Sequence, residues 1–122
     1  MIKLTNVSFK YDNGVHALYN VNLEINDGEF VYITGTTGSG KSTLIKLLDT
    51  EIVPTKGTVM VNDINVGKLR RGKVPMYRRT IGVVFQDFRL LPKKTVYENI
   101  AFALEVVDTP KEQLKKRVRE VL

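Results

Sequence analysis

The feature that most constrains this chain is a glycine-rich turn that lies between a short apolar run and an amphipathic segment. The turn is Gly-Thr-Thr-Gly-Ser-Gly-Lys-Ser over residues 35–42. Residues 30–33 precede it without polar alternation, which predicts a strand buried on both faces, as in a parallel sheet. The turn is followed by a predicted helix from about Gly40 to Asp49, whose apolar stripe we expect in the core: Leu44, Ile45, Leu47 and Leu48. A buried strand, a tight turn and a helix in this order indicate an α/β fold.

The turn itself matches the pattern G-x-x-x-x-G-K-[ST] at Gly35, Gly40, Lys41 and Ser42. Glycine allows the positive φ angles that point successive backbone N–H groups at an anion. The helix that follows directs its positive dipole end to the same place. Lys41 adds a point charge, and the Ser42 hydroxyl can bind Mg²⁺. The sequence therefore predicts a site for the phosphates of a nucleoside triphosphate, ATP with Mg²⁺; a glycine-rich turn with an incidental lysine is the disfavoured alternative.

The residues before this turn predict an antiparallel hairpin. Residues 2–9 and 17–25 alternate apolar and polar side chains around an Asn-Gly turn. The alternation predicts Leu4 on one face of the first strand and Val7 on the other. It predicts Tyr19 on the same face of the second strand as Val21.

Further elements follow the turn. We expect strands at 58–61 and 80–85, and a short helix that starts at Pro75. Thr95 and Glu98 predict a capping box at the start of a helix that runs to about Val107. A last helix is predicted with Thr109 as its cap and proline at its first position.

Composition excludes several classes of function. The chain has 122 residues, enough for one domain, and is 43% hydrophobic and 26% charged, as expected for a globular protein. It has no cysteine, which excludes disulfides and thiolate metal sites, and one histidine, His16. No apolar run approaches the ~20 residues of a membrane-spanning helix. We expect a cytoplasmic chain that a partner can hold at a membrane.

Charge is distributed unevenly along the chain. Residues 1–67 contain five Lys/Arg and seven Asp/Glu, whereas residues 68–122 contain fourteen and six. This asymmetry is compatible with a nucleic-acid or anionic-membrane surface, although a solvated face is favoured. Because no aromatic residue is interleaved among Lys68, Arg70, Arg71 and Lys73, and no recognition motif is present, we expect no specific nucleic-acid binding.

Beyond the turn, the sequence resembles the nucleotide-binding subunits of ABC transporters. The matching features occur in the family's order: the hairpin, Tyr11, the loop 35–43, the turn 54–57, and Val-Val-Phe-Gln-Asp over residues 83–87. Within the family the chain looks most like the FtsE-type ATPases of bacterial cell division, on residues 74–79, 82–87 and 90–99. Lipoprotein-releasing and macrolide-exporting ATPases share much of this pattern and remain alternatives.

The resemblance implies the P-loop NTPase core of an ABC ATPase with an antiparallel β hairpin subdomain. Residues 1–94 would form the N-terminal part of the core, and residues 95–122 the start of the helical subdomain, where the fragment is truncated.

The resemblance also implies roles for single residues. Tyr11 would stack on adenine, the alternative being an aromatic packed on the core at the hairpin end. Lys41 and Gln86 would be catalytic, and Ser42 and Gln86 would contact Mg²⁺. The expected nucleotide contacts are Tyr11, Gly35, Thr36, Thr37, Gly38, Ser39, Gly40, Lys41, Ser42 and Thr43.

The expected partners follow from the same resemblance. They are an FtsX-type integral membrane protein and, at full length, a second ATPase subunit, at the cytoplasmic face of the cell membrane. Phe88, Leu90 and Leu91 would contact the membrane partner or, equally, form a small core under their loop. The family's signature sequence, catalytic glutamate and switch histidine have no counterpart among these 122 residues. We therefore expect nucleotide binding without turnover, or a nucleotide-responsive binding module.

Overall fold

The computed structural model describes all residues from 1 to 122, which form two compact units, Met1–Ile81 and Gly82–Leu122. Residue 94, where the family resemblance places a subdomain boundary, lies inside the second unit. That boundary concerns subdomains of a complete ATPase and stays a prediction.

The first unit contains a four-stranded antiparallel sheet in the order β2-β1-β3-β4. Its strands are β1 (Ile2–Lys10), β2 (His16–Ile25), β3 (Lys56–Val61) and β4 (Ile64–Asn65). Ile2 lies opposite Ile25 on one side and Val61 on the other, so the first strand is central. The predicted hairpin and the predicted strand at 58–61 are both confirmed.

The side chains that the hairpin buries differ from those that a strict alternation of faces predicts. Asn6 and Asn20 have φ angles of 49° and 47°, and the register of β1 and β2 shifts around them. Each irregularity resets which side chains face inward. Leu4 and Val7 are therefore both buried, and the placement of Tyr19 beside Val21 is wrong, because Tyr19 is 80% exposed.

Four α-helices complete the two units: α1 (Lys41–Leu48), α2 (Val74–Arg78), α3 (Val96–Val106) and α4 (Lys111–Val121). Single 3-10 turns at Val66–Lys68 and Arg71–Lys73 precede α2. Leu44 and Leu47 of α1 pack into the core with the sheet, whereas Ile45 is 43% exposed, so the apolar stripe is narrower than predicted.

The end of α1 is joined to α2. The Tyr77 hydroxyl donates to the Leu48 carbonyl at 2.5 Å, and Arg78 Nε donates to the Asp49 carbonyl at 2.9 Å. Burial raises the pKa of Tyr77, and the nearby Asp49 carboxylate raises it further. Two helices that the sequence places far apart are thereby fixed to each other.

Two predicted strands, 30–33 and 80–85, are not formed. Phe30 and Tyr32 are each 82% exposed, and Val84 is 97% exposed. A strand is defined by hydrogen bonds to a neighbour, and the sheet contains β1 to β4 alone. The prediction of strands buried on both faces is wrong here because neither segment has a strand beside it.

Two helix caps are predicted in the second unit; one is confirmed and the other is wrong. The Thr95 hydroxyl accepts from Glu98 N at 3.2 Å, and Thr95 N donates to the Glu98 carboxylate at 2.7 Å, so the capping box is confirmed. The hydrogen bond from the Thr95 backbone lowers the pKa of Glu98. Thr109 does not cap α4, because Pro110 holds that position; the Thr109 N–H instead closes the end of α3 on Leu104 O at 3.0 Å.

Candidate functional site

The loop of residues 35–40 leads directly into α1, and Gly40 determines where that helix lies. Gly40 has φ of 93°, and a Cβ on it would stand 2.4 Å from the Ala17 carbonyl oxygen and 2.8 Å from a methyl carbon of Leu18. No side chain fits in that space. Glycine at this position therefore lets the helix start in direct contact with β2.

Two other glycines shape the loop. Gly35 has φ of 152°, and a Cβ there would lie 2.6 Å from Ser39 Oγ, so the two ends of the loop are close together. Gly38 has φ of 82° and no atom within 4 Å of the corresponding position, so that side of the loop is open. The loop is closed on itself at its base and accessible at its tip.

Lys41 holds the centre of the loop. Its ammonium group donates to the carbonyls of Gly35 and Thr36, each at 2.7 Å, and lies 3.3 Å from Ser39 Oγ. All three N–H donors of a lysine are thereby used within one loop. The positive charge is placed among the residues whose backbone would surround a phosphate.

Free backbone donors lie beside this charge. The first hydrogen bond of α1 runs from Leu44 N to Gly40 O at 2.9 Å, so the N–H groups of Lys41, Ser42 and Thr43 precede it. Such N–H groups have no acceptor within their helix, and the helix dipole adds positive potential there. The donor set of amides and an ammonium suits an anion. Ser42 is exposed at the same end.

No cluster of three or more His, Asp or Glu side chains is arranged to hold a metal ion. A divalent cation at the loop would be held by the Ser42 hydroxyl together with the phosphates. This fits Mg²⁺, which is usually bound through few protein ligands and substrate phosphates.

Tyr11 is connected to the start of α1. Its hydroxyl lies 3.0 Å from the Thr43 hydroxyl, and its ring packs edge-to-face on Phe9 with centroids 4.8 Å apart. Thr43 itself is buried, and Tyr11 is half-buried. The arrangement leaves both interpretations of Tyr11 open, since a ring fixed in this way can pack on its neighbours and still present a face to a base.

Gln86 belongs to the second unit. It is exposed and lies in a turn closed by a hydrogen bond from Phe88 N to Phe85 O at 3.2 Å. The Arg89 guanidinium covers the Phe85 ring at 3.7 Å, which fixes the turn from its other side. The amide of Gln86 is therefore presented to solvent from a short ordered turn, and its role stays a prediction.

The apolar residues after Gln86 do not form a small core. Phe88 is 75% exposed, Leu90 66% and Leu91 36%. Of the two alternatives for this loop, the structure supports an accessible surface over a local core.

The sequence analysis missed the residue that orders this loop. The Asn99 side chain accepts from Leu91 N at 2.7 Å and donates to the carbonyls of Thr95 and Lys94 at 2.9 and 3.2 Å. An asparagine four residues after a capping threonine, in the first turn of a helix, is the signal that could have found it, because its amide can reach back to the preceding loop.

No helix in the structure combines the length and the apolar character that crossing a membrane requires.

The chain is similar to known proteins in sequence and in fold. The family described as ABC transporter matches residues 18–122. The cell division ATP-binding protein FtsE of Bacillus subtilis is 50% identical over the whole chain, which covers 54% of that protein. The methionine import ATP-binding protein MetN of Helicobacter pylori is 43% identical over the whole chain, which covers 37% of it.

Solved structures of ATP-binding cassettes are also similar to this chain. A dimeric post-hydrolysis state of the ATP-binding cassette MJ0796, bound to ADP and Pi, superposes with a TM-score of 0.87 at 39% identity. The match covers 98% of this chain and 55% of that one. The chain thus spans about half the length of the curated FtsE relatives it matches. On the family match, the sequence identity and the shared cassette fold, this chain belongs to the ABC transporter family, as part of an ATP-binding subunit.

Proposed function

We propose that this chain binds ATP with Mg²⁺ through the loop 35–43. The observation that carries the proposal is the Lys41 ammonium, held by the Gly35 and Thr36 carbonyls beside the N–H groups of the first turn of α1, which have no acceptor within the helix. An anion that enters the loop would meet a cation and several backbone amides. Triphosphate is the ligand class that this donor set fits best, and the solved relative bound to ADP and Pi supports it.

The remaining site residues extend the proposal from phosphate to nucleotide. We place adenine on the Tyr11 ring, whose hydroxyl contact with Thr43 holds it beside the start of α1. We assign Mg²⁺ to the Ser42 hydroxyl, with Gln86 as a second oxygen ligand and a contact to the γ-phosphate. Bound Mg²⁺ would neutralise charge on the β- and γ-phosphates.

We infer that the complete protein is an FtsE-type ATPase that hydrolyses ATP and drives an FtsX-type integral membrane protein in bacterial cell division. The 50% identity to the B. subtilis cell division protein supports this assignment over the import function of the MetN relatives, which are 43% identical. The exposed side chains of Phe88 and Leu90 supply an apolar surface for the membrane partner. Two such subunits would dimerise at the cytoplasmic face of the membrane, in keeping with the dimeric relative.

A titration with a fluorescent ATP analogue tests the nucleotide site in the 122-residue chain. Lys41→Ala should lower affinity at least about tenfold, because a charge-assisted contact to phosphate is lost. Lys46→Ala is the matched control: this lysine lies on the same helix and pairs with Glu51 at 3.7 Å. It should leave affinity within about twofold. Equal affinity of the Lys41 variant and the unmodified chain would refute the proposal.

Phosphate release tests the second part of the proposal, that these 122 residues bind ATP without turnover. Hydrolysis requires a base or a water-positioning group in addition to the phosphate site, and we assign such a group to none of these residues beyond Gln86. The purified chain should release phosphate no faster than the Lys41→Ala variant. A steady rate that this substitution abolishes would show that the chain carries complete hydrolytic machinery.

A further inference from the structure

One segment of the first unit concentrates the positive charge of the chain. Residues 64–81 contain six Lys/Arg and no Asp/Glu, whereas the formal net charge of the whole chain is +6. Without this segment, the remaining basic and acidic residues would balance. The charge asymmetry found in the sequence therefore has a definite position in the structure.

Four of these cations lie within six consecutive residues, 68–73, which we call the basic segment: Lys68, Arg70, Arg71 and Lys73. All four are exposed, and the structure gives none of them an acidic partner. Arg78, outside the segment, differs, because it pairs with the buried Asp49 carboxylate at 3.5 Å. The four cations thus contribute no ion pair to the fold.

The backbone of the basic segment is nevertheless fixed. Val66 on one side is 4% exposed and Tyr77 on the other is 3% exposed, while Leu69 in the middle packs against the core. Single 3-10 turns on either side of Leu69 hold the chain in a compact path. Because the apolar residues face the core, the cations are left on an ordered outer surface.

We propose that the basic segment binds the surface of an anionic lipid bilayer. Clusters of about four to eight Lys/Arg close to a membrane are typical of binding to anionic lipids, and each Lys or Arg contributes about fivefold to the partition coefficient at moderate salt. Met76, which is 58% exposed and follows the cluster closely, adds an apolar side chain that can enter the headgroup region. The segment would orient an ATP-binding subunit against the membrane independently of its protein partner.

The same residues fit nucleic acid less well. The only aromatic side chain nearby, Tyr77, is buried and hydrogen-bonded, so no ring is available to stack on a base. Five-residue α2 and the two single 3-10 turns offer no helix long enough to read a groove.

Sedimentation with vesicles tests the proposal. The chain should bind vesicles of phosphatidylcholine containing about one-third phosphatidylglycerol, at least about tenfold more tightly than pure phosphatidylcholine, at about 0.1 M salt. Replacement of all four cations of the basic segment by glutamine should abolish that preference. The charge-matched control replaces four exposed cations of the second unit by glutamine and should lose less than about threefold: Lys93, Lys111, Lys115 and Arg119.

The outcomes separate the possible interpretations. Equal losses in the two variants would show that binding follows total charge and would overturn the proposal. So would tighter binding of a DNA duplex than of the anionic vesicles at the same salt, abolished by the same four substitutions. Circular dichroism monitors folding, and the double variant Arg70→Gln/Arg71→Gln, which should lose at least about fivefold, provides the test if the quadruple variant does not fold. None of these assays contains nucleotide, so their failure leaves the proposed ATP site untouched.

Discussion

The antiparallel sheet and the apolar segment 30–33 lie in the same compact unit and have similar sequences, yet they end in opposite environments. Both are rich in β-branched, aromatic or aliphatic residues. In the sheet, Leu4 is 2% exposed and Val59 0%, whereas Phe30 and Tyr32 of the segment are each 82% exposed. The difference is that every long strand of the sheet has a hydrogen-bonded neighbour and the segment has none.

This contrast shows that a strand is a property of a pair and not of a sequence alone. Apolar, β-branched side chains favour an extended backbone, but the free energy of burial depends on what lies across the sheet. Phe30 and Tyr32 pack on each other, with ring centroids 5.0 Å apart, and otherwise face solvent. The segment thus has a strand-forming sequence without the partner that would make it a strand.

The largest effect should come from removing a core side chain of the sheet. Leu4→Ala should lower the free energy of unfolding by about 2–5 kcal/mol, because it leaves a cavity beside Val7 and Val59. Tyr32→Ala, in the exposed segment, should change it by less than about 0.5 kcal/mol. Urea unfolding measures both. Similar losses in the two variants would mean that the segment is buried in solution and that the contrast is absent.

The second-largest loss of stability should come from disturbing the contact between helix α1 and the sheet. Gly40→Ala should cost about 3 kcal/mol or more, because it combines a positive φ with a Cβ forced against the Ala17 carbonyl. Gly38→Ala has a similar φ and open space around it, and should cost about 1 kcal/mol.

Thermal unfolding of the two glycine variants side by side provides the measurement. If they lost the same stability, the backbone angle alone would account for the cost, and the close approach of α1 to β2 would be unimportant.

The smallest change in stability should come from a substitution at the C-terminal end of α1. Thr50 has φ of 59° where α1 ends, and Glu51 N donates to Lys46 O at 2.9 Å, as in a Schellman motif. Because a β-branched residue is strained at this angle, Thr50→Gly should stabilise the chain by about 1 kcal/mol.

Asp108, with the same φ at the end of α3, provides the comparison. Aspartate tolerates this conformation better, so Asp108→Gly should gain only about half as much. Denaturant midpoints measure both. A loss of stability in the Thr50 variant would show that its hydroxyl, which donates to Asp49 O at 2.6 Å, outweighs the strain.

Much of the fold and site could be predicted because the signals are local. The hairpin strands, the start of α1 and the Thr95 capping box each depend on a few neighbouring residues, and each was found. The loop 35–42 was placed correctly between an apolar segment and a helix. Its conformation depends on glycines whose need for positive φ is visible in the sequence.

The remaining features depend on contacts that the sequence does not show. Val7 and Leu4 are both buried because the register of the strands shifts around Asn6 and Asn20. An asparagine within a strand sequence does not by itself predict such a shift. Thr109 looks like a cap, but the helix begins one residue later than predicted, so that Pro110 occupies the N-cap position. The Tyr11–Thr43 contact joins residues 32 positions apart, and neither residue alone indicates it.

The three contacts of Lys41 have a consequence for how tightly the loop can bind. A lysine side chain that becomes ordered only on ligand binding loses about 1.5–2 kcal/mol of rotamer freedom at that moment. Here the Gly35 and Thr36 carbonyls immobilise the ammonium before any ligand arrives. Much of that entropy is therefore lost during folding, and a phosphate that binds as we propose has only to exchange one set of hydrogen bonds for another.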